Sequence, residues 1–324
     1  MIMRAMQAAA FGGFDNLELV DVQKPVATDG KLLVRITAAG VTPLDNTILH
    51  GHIDAATAPL VLGSEGAGMI EGGDAEFPNG SRVMFMGPFG LFESGTFAEY
   101  VAVPKELLGR IPDNVTDIEA AGIPVAYLTA YLALKNAGFA PGKVVFAPAI
   151  GGSVGNATTQ LAKALGAKHA ISSTTNANKA IEAANLGFDE VIDETKESLV
   201  AGINRITDGY GADIVIDAIG GEVLSGTLPA LAQKGSLTTI GYAGGQEATI
   251  NVMQLIWKAA TIKSFLLFNE SVEDRSDAFR IIYGLLKSGA VKPIIAKTFP
   301  LAEAVQALRY LAEERPLGRV ILTI

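Results

Sequence analysis

From about Ile123 onward the apolar residues fall into short runs separated by stretches with helical spacing. Val144–Ala147, His169–Ser172, Glu190–Ile192, Asp213–Asp217, Ser236–Ile240 and Thr261–Phe268 read as strands. Helical patterns lie between them, over 152–166, 177–186, 196–207 and 222–232. Strand–helix alternation with connections of this length predicts an α/β fold, a doubly wound parallel sheet with helices on both faces. Two amphipathic helices, 272–288 and 301–314, and a last strand, Arg319–Ile324, form a tail expected to return to the first domain.

The N-terminal part has a different period. Leu32, Val34 and Ile36 alternate with Leu33, Arg35 and Thr37, and Arg82–Met86 and Phe97–Val103 look similar. Gly12-Gly13, Gly72-Gly73 and Pro78-Asn79-Gly80 supply turns between such segments. This half reads as an antiparallel β domain, a partly closed barrel. The expected domains are therefore 1–121 with 271–324, and 122–270.

Composition narrows the classes. Of 324 residues, 49% are hydrophobic and 18% charged, which describes a packed globular protein. The net charge of −9, with no basic stripe, argues against nucleic acid as a partner. The absence of cysteine removes thiol catalysis and thiolate metal ligation together, and fits a reducing compartment. Met1–Ala10 is too soon interrupted for a signal peptide, and Ala120–Leu134 too short for a membrane span. The expected location is cytoplasmic.

Candidate chemistry centres on Lys143–Gly155. The Val144–Phe146 run ends in a turn of small residues, Ala149-x-x-Gly152-x-x-Gly155, and a helical pattern follows at once. Strand, glycine turn and helix are the context of a dinucleotide fingerprint. Small residues let the backbone approach a pyrophosphate, and free N–H groups at the helix start meet its charge. Gly151, Gly152, Ser153, Val154 and Gly155 are the candidates for this contact. A glycine cluster without the flanking elements would mark only a tight turn.

About 20 residues beyond such a turn, an Asp or Glu selects NAD by bonding its ribose hydroxyls. Here that place reads Ser172, Ser173, Thr174, Thr175 and Asn176, and the next carboxylate is Glu182. Hydroxyls with Lys179 would accept a 2′-phosphate that a carboxylate repels, so the expected cofactor is NADP(H). The plainer reading of Lys179 is a solvated helix face.

The chain resembles the zinc-independent branch of the medium-chain dehydrogenase/reductase superfamily, the quinone oxidoreductases. Ala39-Gly-Val-Thr-Pro-Leu-Asp45, Leu62-Gly-Ser-Glu-Gly-Ala-Gly68, Gly95-Thr-Phe-Ala-Glu-Tyr-Val101, Leu128-Thr-Ala-Tyr-Leu-Ala-Leu134, Val154-Gly155 with Gln160-Leu-Ala-Lys163, and Pro316-Leu-Gly-Arg-Val-Ile321 carry it, in order along nearly the whole chain. The resemblance implies a GroES-like catalytic domain and a Rossmann domain with the cofactor cleft between them. Zinc-dependent relatives carry a Cys soon after Ala-Gly-Val and a His within Gly-His-Glu. Here those regions read Thr42-Pro43 and Gly63-Ser64-Glu65, so no zinc site is expected. His50-Gly51-His52 offers two imidazoles and no third ligand.

The resemblance also distributes roles. Thr129 matches the position that contacts the nicotinamide end in relatives, Gly220 lies on the loop beside the adenosine half, and Gly241 and Tyr242 lie near the ribose. Phe268 closes over the nicotinamide, and Arg319 approaches the 2′-phosphate unless it pairs with Glu313 or Glu314. Thr42 and Asn46, with Thr47, stand where relatives shape the substrate pocket, although the chain departs from the family's usual Asn at Thr42 and Tyr near Thr47. The implied activity is NADPH-dependent reduction of a quinone or enone, acceptors electrophilic enough to need no Lewis acid. A homodimer through the edge strand at Thr261–Phe268 is implied as well. Two other readings stand beside this one: a catalytically silent NADPH-binding sensor or structural protein, and a Rossmann methyltransferase, which the second domain and Lys179 disfavour.

Overall fold

The computed structural model describes residues 1–28 and 30–324. The chain divides into one unit of Met1–Val125 with Glu270–Ile324 and another of Ala126–Asn269. The first division falls inside the helix Pro124–Asn136, a few residues beyond the boundary expected at 121/122.

The second unit is built on a six-stranded, wholly parallel sheet. Its strands are Val144–Ala147, His169–Thr174, Val191–Asp193, Ala212–Asp217, Leu231–Thr239 and Thr261–Ser264, taken here as first to sixth. They lie side by side in the order third, second, first, fourth, fifth, sixth. The chain thus winds outward from the centre in one direction, returns, and winds outward in the other. The reversal leaves a crevice beyond the carboxyl ends of the first and fourth strands. The first strand is buried along its whole length, as a central strand covered on both faces must be. Val144, Phe146, Ile171, Ile192, Val215 and Leu237 pack with Ile203 and Leu224 of two crossover helices into one core. Asp213 accepts from Val144 N at 2.8 Å and from Lys143 Nζ at 3.0 Å, tying the amino ends of the two central strands together.

Two expected elements are cut short for identifiable reasons. The helix expected over 222–232 stops at Thr227, because Pro229 has no N–H to continue it, and Leu228–Ala230 tightens into a 3-10 turn. Leu231 already belongs to the fifth strand. The strand expected over 261–268 ends at Ser264, because its neighbour ends at Thr239. Phe265 N makes one more bond to Thr239 O, and the chain then coils into a short 3-10 turn, Leu267–Asn269.

The first unit holds two sheets. Ile2–Ala8 lies between Leu17–Gln23 and Leu60–Val61. The larger sheet has seven strands, six of them in the order Ile295–Pro300, Arg319–Thr323, Lys31–Val41, Glu65–Glu71, Arg82–Met86 and Leu108–Arg110. Lys31–Val41 serves two neighbours along one edge: Tyr100–Pro104 pairs with its first half and Arg319–Thr323 with its second. A register shift between Ile36 and Ala38 bends the strand between the two halves. The sheet has two ends and does not close on itself. Nor is it wholly antiparallel, since Ile295–Pro300 and Arg319–Thr323 run parallel, with the helix Ala304–Glu314 between them. Among the described residues, no helix is long and apolar enough to cross a membrane.

Candidate functional site

In the second unit, the first strand runs through Pro148 into a tight turn. Ala149 has φ +64°, a left-handed conformation that costs a residue bearing a Cβ and is held only where its surroundings enforce it. Gly152 N donates to Ala149 O at 2.8 Å, and Ile150 N donates to Ser173 O at 2.8 Å, which sets the turn against the end of the second strand. The helix Ser153–Ala164 follows with Gly152 at its N-cap, so no side-chain oxygen closes its first turn. A Cβ on Gly155 would stand 2.5 Å from the carbonyl oxygens of both Pro148 and Ala149. Only glycine lets the helix start this close to the strand.

Two further loops leave the same edge of the sheet. After the fourth strand, the buried Asp217 carboxylate accepts from Ile219 N at 2.8 Å and Gly220 N at 3.1 Å. Burial pushes its pKa up and these bonds oppose the shift. After the fifth strand, Gly241 lies so near Ala218 that a Cβ would stand 2.6 Å from its carbonyl oxygen, and Gly220 approaches Gly245 O as closely. The glycines at 220 and 241 therefore have a packing role beyond a simple turn: they let two loop backbones lie against each other. Tyr242 is exposed beside them and Phe268 is partly exposed past the sixth strand.

The end of the second strand departs from expectation. Ser172 is buried and its hydroxyl donates to Ala147 O at 2.6 Å, so it joins two strands instead of facing a ribose. Ser173 and Thr174 are buried too, and the Thr174 hydroxyl accepts from Asn176 N at 3.2 Å. Asn176 caps the helix Ala177–Asn185, which has no acidic residue in its first turn and carries Lys179 there, half-buried. Thr129 is nearly buried on the helix Pro124–Asn136. On the same helix Tyr127 is buried, its hydroxyl accepting from Gln160 at 3.1 Å, which marks it as a packed residue.

In the first unit, Thr42 is the N-cap of the helix Pro43–Leu49. Its hydroxyl donates to Asp45 at 2.8 Å, its N–H donates to the same carboxylate at 2.7 Å, and Gly63 N donates to the other carboxylate oxygen at 3.1 Å. The Thr42 hydroxyl, expected to meet substrate, is thus buried in a capping box. A Thr followed by Pro at N1 and Asp at N3 is a helix-start signal legible in the sequence. Burial pushes the Asp45 carboxyl up to about 6, against the pull of its three donors. Asn46 is half-buried and donates to Leu308 O at 3.2 Å, while Thr47 donates to Pro43 O at 3.0 Å.

Arg319 pairs with neither Glu313 nor Glu314. Its guanidinium donates to Glu65, both side chains being buried, and Glu65 also accepts from Val125 N at 2.7 Å. Arg309 takes Glu313 instead, at 3.8 Å.

Residues 28–113 match the family model described as alcohol dehydrogenase GroES-like domain, and residues 186–322 match the one described as zinc-binding dehydrogenase. A quinone oxidoreductase of Pseudomonas aeruginosa is 30% identical over 98% of this chain and 99% of its own. The chain belongs to the quinone oxidoreductase family of the medium-chain dehydrogenase/reductases. A 2-haloacrylate reductase of Burkholderia sp is 27% identical over 96% of both chains. A crystal structure described as NAD-dependent alcohol dehydrogenase superposes with a TM-score of 0.88, at 28% identity over 99% of this chain and 100% of that one. This protein is therefore an oxidoreductase of a nicotinamide-dependent superfamily.

The residues present do not fit the zinc in the second model's description. There is no cysteine, and Thr42 and Ser64 occupy the two ligand regions. Among the described residues no three His, Cys, Asp or Glu side chains are grouped to hold a metal. They do fit a dinucleotide. The sheet order, the uncapped helix start and the close strand–helix approach that Gly155 permits are what a dinucleotide's pyrophosphate requires.

Proposed function

We propose that this protein transfers a hydride from NADPH to a quinone or an α,β-unsaturated carbonyl without a metal. The observation that carries the reading is the glycine turn at the point where strand order reverses, which runs straight into a helix start with no side-chain cap. In this reading Gly151–Gly155 hold the pyrophosphate. Lys179 meets the 2′-phosphate, supported by the absence of acidic residues from its helix turn. Gly220, Gly241 and Tyr242 flank the adenosine and ribose, Thr129 orients the nicotinamide end, and Phe268 covers it. Arg319, expected at the 2′-phosphate, is buried in its ion pair with Glu65 and has no part in this reading.

Bound nicotinamide supplies a hydride to an electrophilic carbon. No residue here is a metal ligand able to activate an alkoxide, so the acceptor must carry its own activation. Conjugated acceptors do, and the names of the two curated relatives, quinone and 2-haloacrylate, belong to that class. Thr42 and Asn46 are tied to Asp45 and Leu308 and serve by shaping the first unit's loops. The proton that completes the reduction comes from water or an accessible hydroxyl.

Among the described residues the edge strand Thr261–Ser264 has a neighbour on one side only, and exposed Met253, Ile256, Trp257 and Leu266 flank it in the chain. Pairing with the same strand of a second copy would cover it and give a homodimer. A purely monomeric species in sedimentation velocity would sink that pairing.

The functional test uses EDTA-treated protein and follows NADPH oxidation against quinones, enones and simple ketones. Turnover confined to quinones and activated alkenes is expected. Silence across the panel, with NADPH binding intact, would make the protein a non-catalytic NADPH sensor or structural protein.

A further inference from the structure

Beside the end of the second strand, one carboxylate is carried by the residue that follows the third strand. Thr174 ends the second strand, where an NAD-selecting acid would stand, and Asp193 ends the third in direct register with it. The next residue, Glu194, donates its backbone N–H to Thr174 O at 2.9 Å. Its Cα is therefore fixed one strand spacing from the end of the second strand, on the carboxyl edge where the ribose is expected, and its side chain is partly exposed. Asp193 is not comparable. Its carboxylate accepts from Thr195 N and hydroxyl at 3.1 and 2.6 Å and pairs with Lys196 at 2.7 Å, so its charge is already met. Among the described residues, none hydrogen-bonds or ion-pairs with the Glu194 side chain.

We propose that Glu194 is a specificity-determining residue for the dinucleotide, opposing Lys179 at the 2′ position and weakening the preference for NADPH over NADH. The inference rests on the dinucleotide reading of this edge. Lys179, on the helix after the second strand, attracts a 2′-phosphate. Glu194, on the loop after the third, repels it and can instead accept from a ribose 2′-hydroxyl. The two charges come from the segments that follow two neighbouring strands, so cofactor choice is set by their balance rather than by one residue.

The test measures dissociation constants for NADPH and NADH with the full chain, as wild type, Glu194→Gln and Glu182→Gln. Glu182 lies on the helix after the second strand and controls for the loss of one negative charge. Removing a like charge a few ångströms from the 2′-phosphate should tighten NADPH by about tenfold. NADH should be unchanged or weakened, and Glu182→Gln should move neither by more than about twofold. Adenosine 2′,5′-bisphosphate, which lacks the nicotinamide half, should gain affinity in Glu194→Gln as NADPH does. An unmoved NADPH/NADH ratio, or an equal shift in Glu182→Gln, overturns the assignment to Glu194 alone. Failure of the wild type to bind either dinucleotide overturns the reading beneath it as well.

Discussion

Arg319 donates to Glu65 across 254 residues of chain, with both side chains buried. The second Glu65 oxygen takes Val125 N, so one carboxylate joins the strand Glu65–Glu71, the last strand and the start of the helix Pro124–Asn136. A Cβ on Gly40 would stand within 2.7 Å of Glu65, Ala121 and Arg319 atoms, which leaves this junction no spare volume. Burial pushes the Glu65 pKa up and the Arg319 charge pulls it back. Removing one member strands the other charge in a dry site. Glu65→Gln should therefore destabilise the fold by about 3–5 kcal/mol, and Glu65→Gln with Arg319→Met should recover part of that loss. Urea denaturation of the two variants and wild type checks it; a double variant no more stable than Glu65→Gln would overturn the claim that a stranded charge causes the loss.

Asp45 offers a test through pH. Its folded pKa of about 6 lies above the ordinary Asp value of 3.8, so between those values the folded state binds more protons than the unfolded state. Stability from this group is fully present below pH 3.8 and is lost as pH rises through about 6. The total change is on the order of 3 kcal/mol. The Asp45→Asn variant lacks this titration. Its stability relative to wild type should rise as pH increases across that interval, read from thermal or urea unfolding at a series of pH values. A constant difference would mean that Asp45 stays ionised throughout.

Glycines that look alike in sequence should respond in opposite ways. Gly155→Ala forces a Cβ against two backbone carbonyl oxygens that cannot rotate away, and should cost about 1–3 kcal/mol as well as dinucleotide affinity. Gly284 lies inside the helix Val272–Ser288 with open space where its Cβ would be. Gly284→Ala should stabilise by about 0.5–1 kcal/mol and leave binding untouched. Melting temperatures and dinucleotide titrations of both variants decide the matter, and a tolerated Gly155→Ala would remove the packing argument for the glycine turn.

Legibility from sequence followed the range of the interactions. The helix Val272–Ser288 was readable to the residue because its apolar spacing, Ser271 cap and Gly289 terminus are all local. The parallel sheet was readable from alternation, but the length of its sixth strand was not, since that depends on where a neighbour ends. Pro229 carried its own warning that a helix would stop, and the strand–helix pattern overrode it. The face on which Ser172 lies follows from strand register, which no local pattern reports, and Glu194 reaches the second strand only through pairing with the third. Glu65 and Arg319 were each visible in quoted motifs, yet nothing in either motif names the other as partner.

Lys179 is the sharpest test of cofactor choice. It sits in the first turn of the helix Ala177–Asn185, where Asn176 accepts from Asn178 N and Lys179 N at 2.9 and 3.2 Å and holds the turn in place. Lys179→Glu keeps a good helix former and reverses the charge, and an acid in a first helical turn is itself favourable. The fold should therefore survive with an unchanged melting temperature. Attraction for a 2′-phosphate becomes repulsion, so NADPH affinity should fall by about a hundredfold or more, two charge-contact contributions of roughly tenfold each. NADH carries no 2′-phosphate and should bind as before. Equal weakening of both dinucleotides would place Lys179 near the shared pyrophosphate instead, and no change in either would leave it on the solvated face of its helix.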